Sequence, residues 1–208
     1  LRQHRKIAYF AGGCVRDQLM GLPPTDYDVA TDATPEEIIQ VFGKQNTLLV
    51  GAAFGVACVH RRIDHMQLQV EVASFRSDGH YVDGRRPTSI RAASPEEDAQ
   101  RRDFTINGMF YDPVADEILD FVGGVEDLQR RHLRAIGDPA ARLAEDKLRL
   151  VRAVRFAARF QFSMDAATEQ AIRTSAPNLS VVSAERLLDE MKKICGNRYA
   201  AQAIQQLF

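Results

Sequence analysis

The pattern of hydrophobic and polar positions changes its period along the chain. Up to about Ile136, short apolar or alternating runs that are typical of strands are separated by segments with helical spacing. Strands that alternate with helices in this way predict an α/β or α+β unit. The predicted strands cover residues 7–10, 27–30, 55–60, 67–75, 104–111 and 118–121.

Two tetrapeptides of the same form predict helix starts. Thr34-Pro35-Glu36-Glu37 and Ser94-Pro95-Glu96-Glu97 both place a hydroxyl three residues before a glutamate, with proline at the first helical position. A shorter helix is predicted over 15–20, after Gly12-Gly13. Residues 76–93 are rich in glycine, proline and charge, and this composition predicts a mobile loop.

The pattern becomes purely helical after Gly137-Asp138-Pro139. Helical spacing runs over 142–160, 166–175 and 184–194, and strand signals are absent from this part of the sequence. We therefore expect a domain boundary near Asp138, with a first domain over 1–138 and an all-helical domain over 139–208.

Composition and charge exclude several classes of protein. The net charge is −1, 45% of residues are hydrophobic, and the sequence contains neither a membrane-spanning apolar run nor a signal peptide. Three widely separated cysteines disfavour a disulfide framework or a zinc site and fit a reducing cytoplasm. The chain starts without methionine and stops within a predicted helix, so we expect a fragment that lacks a C-terminal region.

The first chemical signal lies between Gly12 and Asp28. Asp26 and Asp28 alternate on a predicted strand, which puts their carboxylates on one face with Cα atoms about 6.5 Å apart. Two such carboxylates suit Mg²⁺, which often shares its ligand shell with substrate phosphates. Gly12-Gly13 fits neither common nucleotide-binding glycine motif, but backbone N–H groups there could cradle a triphosphate, with Arg16 as a clamp.

Two further motifs are rich in arginine. Arg101-Arg102-Asp103 indicates either an ion-paired helix end or an arginine placed to contact ribose or phosphate. Farther along, Asp146, Arg149, Arg152 and Arg155 recur every three residues. Each step falls about 60° short of a full turn, so the row curls around the helix. The first pair can form one edge, whereas the last two arginines fit phosphate contacts or inter-domain salt bridges, and a plain charged helix face is the simpler alternative.

Together these motifs resemble one family. The sequences GGCVRD, DYD, EVASFRSDG with VDGRRP, RRDFTINGMFYD and EDKLRLVRAVRF occur in the order seen in the bacterial-type (class II) CCA-adding tRNA nucleotidyltransferases and their poly(A) polymerase relatives. The resemblance runs from about Tyr9 to at least Phe162. It implies an α+β head with a mixed sheet, related to DNA polymerase beta, followed by an all-helical neck, with the tRNA-holding body and tail missing.

The same resemblance implies roles for individual residues. It assigns Asp26 and Asp28 to catalysis and to two Mg²⁺ ions, and it implies a catalytic role for Asp103. Glu71, on a predicted strand that could approach Asp26 and Asp28, is the rival candidate for a third carboxylate. Residues that would bind the incoming nucleotide are Gly13, Arg16, Arg102, Asp146, Arg149, Arg152 and Arg155. On cytosine or adenine, Asp146 would accept from the exocyclic amine while Arg149 donates to a ring acceptor.

The implied activity is transfer of CMP and AMP from CTP and ATP to the 3′ end of tRNA. Three alternatives stay open: A addition to tRNA ending in CC, polyadenylation, and an inactive RNA-binding module. Gly51-Ala52-Ala53-Phe54 lacks the arginines of a basic element typical of the poly(A) polymerases, which disfavours polyadenylation. The loop at 76–93 favours an ability to add A. We expect a cytoplasmic enzyme with no membrane partner.

Overall fold

The computed structural model describes residues 1–50, 55–64, 66–79 and 89–207. The chain divides into two compact units: the first comprises Leu1–Gly79, Ser89–Arg102 and Asn107–Val122, and the second contains Asp103–Ile106 and the chain from Gly123 onward. This division by contacts falls earlier than the boundary expected near Asp138. The difference arises because residues just after Gly123 form elements that pack within the second unit.

The first unit is built on a mixed seven-stranded sheet. The strands of the sheet are β1 (Ala8–Ala11), β2 (Asp28–Thr31), β3 (Thr47–Leu49), β4 (Val56–Ile63), β5 (Met66–Ser74), β8 (Phe110–Asp112) and β9 (Glu117–Leu119). Their order in the sheet is β3-β4-β5-β2-β1-β8-β9. β2 and β5 run parallel, whereas the other neighbours in this sheet are antiparallel.

Two helices of this unit begin where the local sequence predicts, and the first begins two residues earlier than expected, at Gly13. The helices are α1 (Gly13–Leu19), α2 (Pro35–Phe42) and α3 (Pro95–Gln100). Both predicted capping boxes are confirmed: the hydroxyls of Thr34 and Ser94 accept from the backbone N–H three residues on, and Glu37 and Glu97 accept from the cap residue in return. Short 3₁₀ turns are found at Arg2–His4 and Lys44–Asn46.

The two faces of the sheet pack differently. One face buries Ala11, Ala30, Phe75 and Phe110 together with Ala99 from α3. The other face contributes to a cluster with Ile38 of α2. Side chains two residues apart share a face of a strand, so Asp28 lies on the α3 side with Ala30.

Two predicted segments differ from the structure. The strand expected over 104–111 is wrong for its first half, since Thr105–Asn107 is a 3₁₀ turn and only Phe110–Asp112 is a strand. The loop expected over 76–93 begins and ends as an antiparallel pair, β6 (Arg76–Asp78) and β7 (Ile90–Ala92). The remainder of that predicted loop, 80–88, and the Gly51-Ala52-Ala53-Phe54 segment lie outside the described residues.

The second unit is mainly helical. Its helices are α4 (Gly124–Gln129), α5 (Pro139–Glu145), α6 (Leu148–Phe160), α7 (Ala166–Ser175), α8 (Ala184–Cys195) and α9 (Ala200–Leu207). Ala176–Val181 is a 3₁₀ helix, and a pair of two-residue parallel strands, β10 (His132–Leu133) and β11 (Ser163–Met164), is the one sheet described here.

The helix predicted over 142–160 is two helices, α5 and α6, which corrects the sequence-based expectation. Asp146 adopts an extended backbone conformation between them (φ −147°, ψ 107°). Its carboxylate accepts a 3.0 Å hydrogen bond from the Leu148 N–H at the start of α6. Aspartate competes with the helical backbone in this way, because it satisfies an N–H that would otherwise lack a partner.

Within the described part of the chain, no helix is both long enough and apolar enough to cross a membrane.

Candidate functional site

The glycine turn before α1 brings the backbone close to an arginine. Gly12 has φ +71°, a value that L side chains rarely adopt, and its N–H donates to the Met109 carbonyl at 3.1 Å. A Cβ built on Gly12 would lie 3.0 Å from Nη1 of Arg102. Glycine is therefore required both by the backbone conformation and by the approach of Arg102.

Arg16 lies inside the first unit and is held by other side chains of the chain. Its Nε donates to Oδ1 of Asp17 at 2.8 Å, and its Nη1 donates to Oδ1 of Asn107 at 2.6 Å. A Cβ on Gly13 would sit in ordinary contact, 3.5 Å from Arg16 Nη2. Gly13 and Arg16 are thus neighbours, as predicted, although the guanidinium is buried rather than exposed.

The two predicted metal-binding aspartates lie at the start of β2. Asp28 is the first residue of the strand and Asp26 precedes it, so the expectation that both lie on the strand is wrong for Asp26. Tyr27 packs its ring against Phe10 with centroids 5.6 Å apart. Both aspartates are exposed.

The parallel pairing of β2 with β5 places Asp28 directly opposite Glu71. Burial of its surroundings and the nearby Glu71 raise the pKa of Asp28, Arg102 opposes them, and Asp26 raises this pKa further. Carboxylates that repel one another in this way are stabilised in their charged forms by a cation.

The donor set at β2 fits a magnesium site shared with a ligand. Across the described residues, no group of three or more His, Cys, Asp or Glu side chains is arranged to hold a metal ion. Mg²⁺ is commonly bound by one or two carboxylates and completes its shell with waters and substrate phosphates. Asp26 and Asp28 supply two such oxygen donors. The pKa of Asp28 is raised first by burial of its surroundings and then by repulsion from Glu71 and Asp26, and a cation would relieve this repulsion.

The two candidates for a third carboxylate have different surroundings. Glu71 faces Asp28 in register. Asp103 belongs to the second unit, where its Oδ2 accepts from Nε and Nη2 of Arg152 at 2.8 and 2.6 Å. Its Oδ1 accepts from the Phe104 N–H at 2.8 Å. Both carboxylate oxygens of Asp103 therefore accept hydrogen bonds from residues of the second unit.

Arg102 is fixed next to the glycine turn. Its Nε and Nη2 donate to Oδ2 of Asp98 at 3.2 and 2.9 Å, and its Nη1 donates to the Asn107 carbonyl at 3.4 Å. Its Cζ lies 4.9 Å from the centroid of the Phe110 ring. The predicted nucleotide contact Arg102 thus joins Gly13, Arg16, Asp26 and Asp28 in the first unit.

In the second unit, Asp146 and Arg149 do not form the paired edge expected from their spacing. Asp146 binds Arg186 of α8 through two hydrogen bonds, 3.1 Å to Oδ1 and 2.7 Å to Oδ2. Arg149 donates instead to Oε2 of Glu145 at 2.6 Å and to the Arg142 carbonyl at 2.8 Å. The break before α6 explains the difference, since both residues were expected on one helix.

Arg152 and Arg155 take part in ion pairs within the second unit. Arg152 binds Asp103, and Arg155 donates from Nε to Oε2 of Glu190 at 2.6 Å. Lys193 adds a 3.0 Å contact to the same Glu190. Both arginines therefore form salt bridges, as one alternative expected, but these salt bridges lie within the second unit rather than between domains.

Sequence reasoning did not identify Arg186 or Glu190 on α8. They are four residues apart and share a helix face, which is a visible signal. Their partners lie 35 to 40 positions away along the chain, so only the fold reveals the pairing.

Comparison with known proteins agrees with this fold. The poly A polymerase head domain covers residues 8–134, and a domain described as a probable RNA and SrmB-binding site of polymerase A covers residues 161–208. The chain belongs to the poly A polymerase head domain family, with the nucleotidyltransferase head and mixed sheet expected from the sequence. The resemblance to CCA-adding enzymes is confirmed in the same comparison.

Among curated relatives, the CCA-adding enzyme of Geobacillus stearothermophilus is 43% identical over 208 residues, which cover 100% of this chain and 50% of that protein. A crystal structure of the Bacillus stearothermophilus CCA-adding enzyme in complex with CTP superimposes with a TM-score of 0.88 at 40% identity, covering 100% of this chain and 49% of that chain. A complex of a CCA-adding enzyme with ATP gives a TM-score of 0.79 at 25% identity, covering 99% and 48%. The chain thus spans about half the length of the curated relatives it matches.

Proposed function

We propose that this chain contains the reaction centre of a template-independent RNA nucleotidyltransferase that adds CMP and AMP to the 3′ end of tRNA. CTP and ATP would be the nucleotide donors. The observation that carries the proposal is the group of carboxylates at the start of β2, where Asp28 faces Glu71 in register. The similarity to CCA-adding enzymes supports the choice of tRNA and of these nucleotides.

The proposal assigns different roles to two parts of the chain. Residues 1–138 would form the catalytic head, and residues 139–208 would belong to a neck that selects the nucleotide. A cytoplasmic location is part of the same proposal, because three separated free cysteines fit a reducing compartment.

The residues of the first unit support transfer of a nucleotidyl group to a hydroxyl. When bound by Asp26 and Asp28, Mg²⁺ would lower the pKa of the RNA hydroxyl and stabilise the pyrophosphate that leaves. Arg102 adds positive charge beside the Gly12 turn, where it can orient phosphate oxygens through donors in a planar fork. Asp28 must lose its proton before it can bind a cation, so the raised pKa of Asp28 shifts that step to higher pH.

Base selection is proposed for Asp146 with Arg149. An ionised carboxylate has about four lone-pair positions. Asp146 uses three of them, two for Arg186 and one for the Leu148 N–H. The position that is left can accept from the exocyclic amine of cytosine or adenine, whereas uracil and guanine present a carbonyl oxygen to it.

Asp146→Asn should blur this selection. An asparagine amide keeps the size of the side chain but offers a donor as well as an acceptor, so it tolerates a carbonyl. We expect preference for CTP and ATP over UTP and GTP to fall by roughly ten- to a hundredfold, the value of one mispaired buried polar group. Competition between labelled nucleotides in the full-length protein measures this ratio. Glu185→Gln, an exposed charge change on α8, is the control, and unchanged selectivity in Asp146→Asn would contradict the assignment.

The function itself is tested with three acceptors and labelled CTP and ATP. Full-length protein that adds three nucleotides to tRNA lacking CCA performs CCA addition. Addition of one AMP to tRNA ending in CC, with no addition to the shorter acceptor, indicates the A-adding alternative. Long products on unrelated RNA indicate polyadenylation. Binding of RNA without any product would show the inactive RNA-binding module and would refute the proposal.

Glu71→Gln and Asp103→Asn should separate the two candidates for a third carboxylate. Glu71 lies beside Asp28, so its neutral variant should lower kcat by about ten- to a hundredfold without lowering the unfolding temperature. Asp103→Asn breaks the Arg152 contacts and should instead lower stability by about 1–3 kcal/mol. Thermal unfolding beside single-turnover kinetics distinguishes these outcomes, and the reverse pattern would assign the catalytic role to Asp103.

A further inference from the structure

Asp98 on α3 is a buried carboxylate that the proposed reaction does not use. Only 1% of the residue is exposed. Its two oxygens serve different partners: Oδ2 accepts from Nε and Nη2 of Arg102, at 3.2 and 2.9 Å. Oδ1 accepts from Nε and Nη2 of Arg101, at 2.9 and 2.7 Å, and from the Arg76 N–H at 3.2 Å.

The charge of Asp98 is maintained by these partners. Burial opposes ionisation, but Arg102 and Arg101 hold the pKa of Asp98 below its ordinary value. A buried carboxylate that binds two guanidinium groups fixes both of them, since moving either would leave part of the charge without a partner.

Asp98 determines the direction of the Arg102 guanidinium. Because Nε and Nη2 are bound to one carboxylate oxygen, the third nitrogen, Nη1, is turned toward the glycine turn. There it reaches the Asn107 carbonyl at 3.4 Å and would lie 3.0 Å from a Cβ on Gly12. The Phe110 ring, 4.9 Å from Cζ, supports the guanidinium from the face of the sheet.

The second carboxylate oxygen of Asp98, Oδ1, connects this residue to the β6–β7 pair. Arg101 also donates from Nε to the Arg76 carbonyl at 3.1 Å, and its Nη1 lies 3.7 Å from Oδ2 of Asp78. One carboxylate therefore joins the first residue of β6 to the arginine beside the glycine turn.

We propose that Asp98 is a positioning residue that holds Arg102 in the orientation needed to bind the triphosphate of the incoming nucleotide. This role rests on the proposed function, since it requires Arg102 to contact that triphosphate. Asp98 is expected to make no contact with the nucleotide itself. Its effect is transmitted through the two hydrogen bonds to Arg102.

The test is the steady-state kinetics of Asp98→Asn in the full-length protein. We expect KM for both ATP and CTP to rise about tenfold, the value of a hydrogen bond to a charged group, while kcat changes less than about twofold. Glu96→Gln removes an exposed charge from the same helix and should leave KM unchanged. A purely structural role would lower the active fraction, and hence the apparent kcat, without moving KM, and that result would overturn the proposal.

A double-mutant cycle with Arg102→Lys tests whether Asp98 acts through Arg102. If Asp98 acts through Arg102, the increases in KM from Asp98→Asn and Arg102→Lys should not multiply in the double variant. Independent effects would overturn the positioning role. Should Asp98→Asn fail to fold, Asp98→Glu keeps the charge but displaces the carboxylate, and a wild-type KM in that variant would likewise overturn it.

The wild-type protein separates this inference from the proposed function. If the wild type incorporates nucleotides and Asp98→Asn has an unchanged KM, the positioning role is refuted and the proposed function is not. A folded wild type that neither binds nor incorporates ATP or CTP refutes the proposed function, and the positioning role with it.

Discussion

Replacing Asp28 by asparagine should abolish nucleotide incorporation without loss of the fold. We expect a decrease of about a thousandfold or more, because a bound metal supplies several kcal/mol of transition-state stabilisation and each 1.36 kcal/mol corresponds to tenfold in rate. Asp32→Asn, at the position that follows the end of the same strand, is the matched control. Asp32 accepts from the Ile7 N–H at 2.7 Å, and the asparagine oxygen can still accept. Incorporation that survives Asp26→Ala combined with Asp28→Ala would contradict the metal assignment.

The Asp28→Asn variant should be at least as stable as the wild type at neutral pH. Although Asp28 is exposed, burial of its surroundings, Glu71 and Asp26 together raise its pKa in the folded protein against the opposing effect of Arg102. A raised carboxyl pKa means that the charged form is disfavoured by folding, so stability is lost as pH rises through that pKa. Asparagine carries no charge, so the Asp28→Asn variant does not lose stability in this way. Its gain in stability over the wild type should disappear below the ordinary carboxyl pKa. Thermal unfolding without metal at pH 3 and pH 7.5 measures the difference, and a less stable variant at pH 7.5 would contradict it.

Replacing Glu190 by glutamine should cause the largest loss of stability among the variants considered. Glu190 is 2% exposed and binds Arg155 of α6 at 2.6 Å, with Lys193 at 3.0 Å. Removal of one partner from a buried ion pair costs about 3–5 kcal/mol because the other charge is left unpaired. Chemical denaturation measures the change. Asp189→Asn, at the exposed neighbouring position, should change stability by about 0.5 kcal/mol or less.

The effect of Glu190→Gln should depend on pH in the opposite direction to that of Asp28→Asn. Burial opposes ionisation of Glu190, but Arg155 and Lys193 hold its pKa below the ordinary value. The stability that it contributes is therefore complete above the unfolded carboxyl pKa, about 4.3, and is lost as pH falls through the lowered folded value. A stability difference between wild type and variant that persists undiminished at pH 2 would contradict this account.

The predictions that succeeded depend on short stretches of chain. The capping boxes at Thr34 and Ser94 are closed by hydrogen bonds between residues three apart, and the sequence contains every group involved. The glycine turn before α1 and the position of Asp28 on a strand follow for the same reason, since a few neighbouring residues determine this local geometry.

The expectations that failed depended on competing contacts. Apolar spacing continues through Asp146, so periodicity predicts one helix, whereas the structure breaks it because that carboxylate accepts from the Leu148 N–H. The Asp103 segment was expected to start a strand, but its main chain and carboxylate are bound by Ile136 and Arg152, far along the sequence. The expected approach of the Glu71 strand to Asp28 is confirmed, but periodicity alone does not encode the strand order that sets their exact register.

The interruption between α5 and α6 has a consequence for engineering altered base preference. Asp146 supports the first turn of α6 and anchors Arg186 as well as being the proposed reader of the base. A substitution chosen only for its pairing with a new base would also release an arginine and an amide from their partner. Recoding the preference would therefore need compensating changes at Arg186 and near Leu148, so that variants with new specificity would be found among combinations rather than among single replacements.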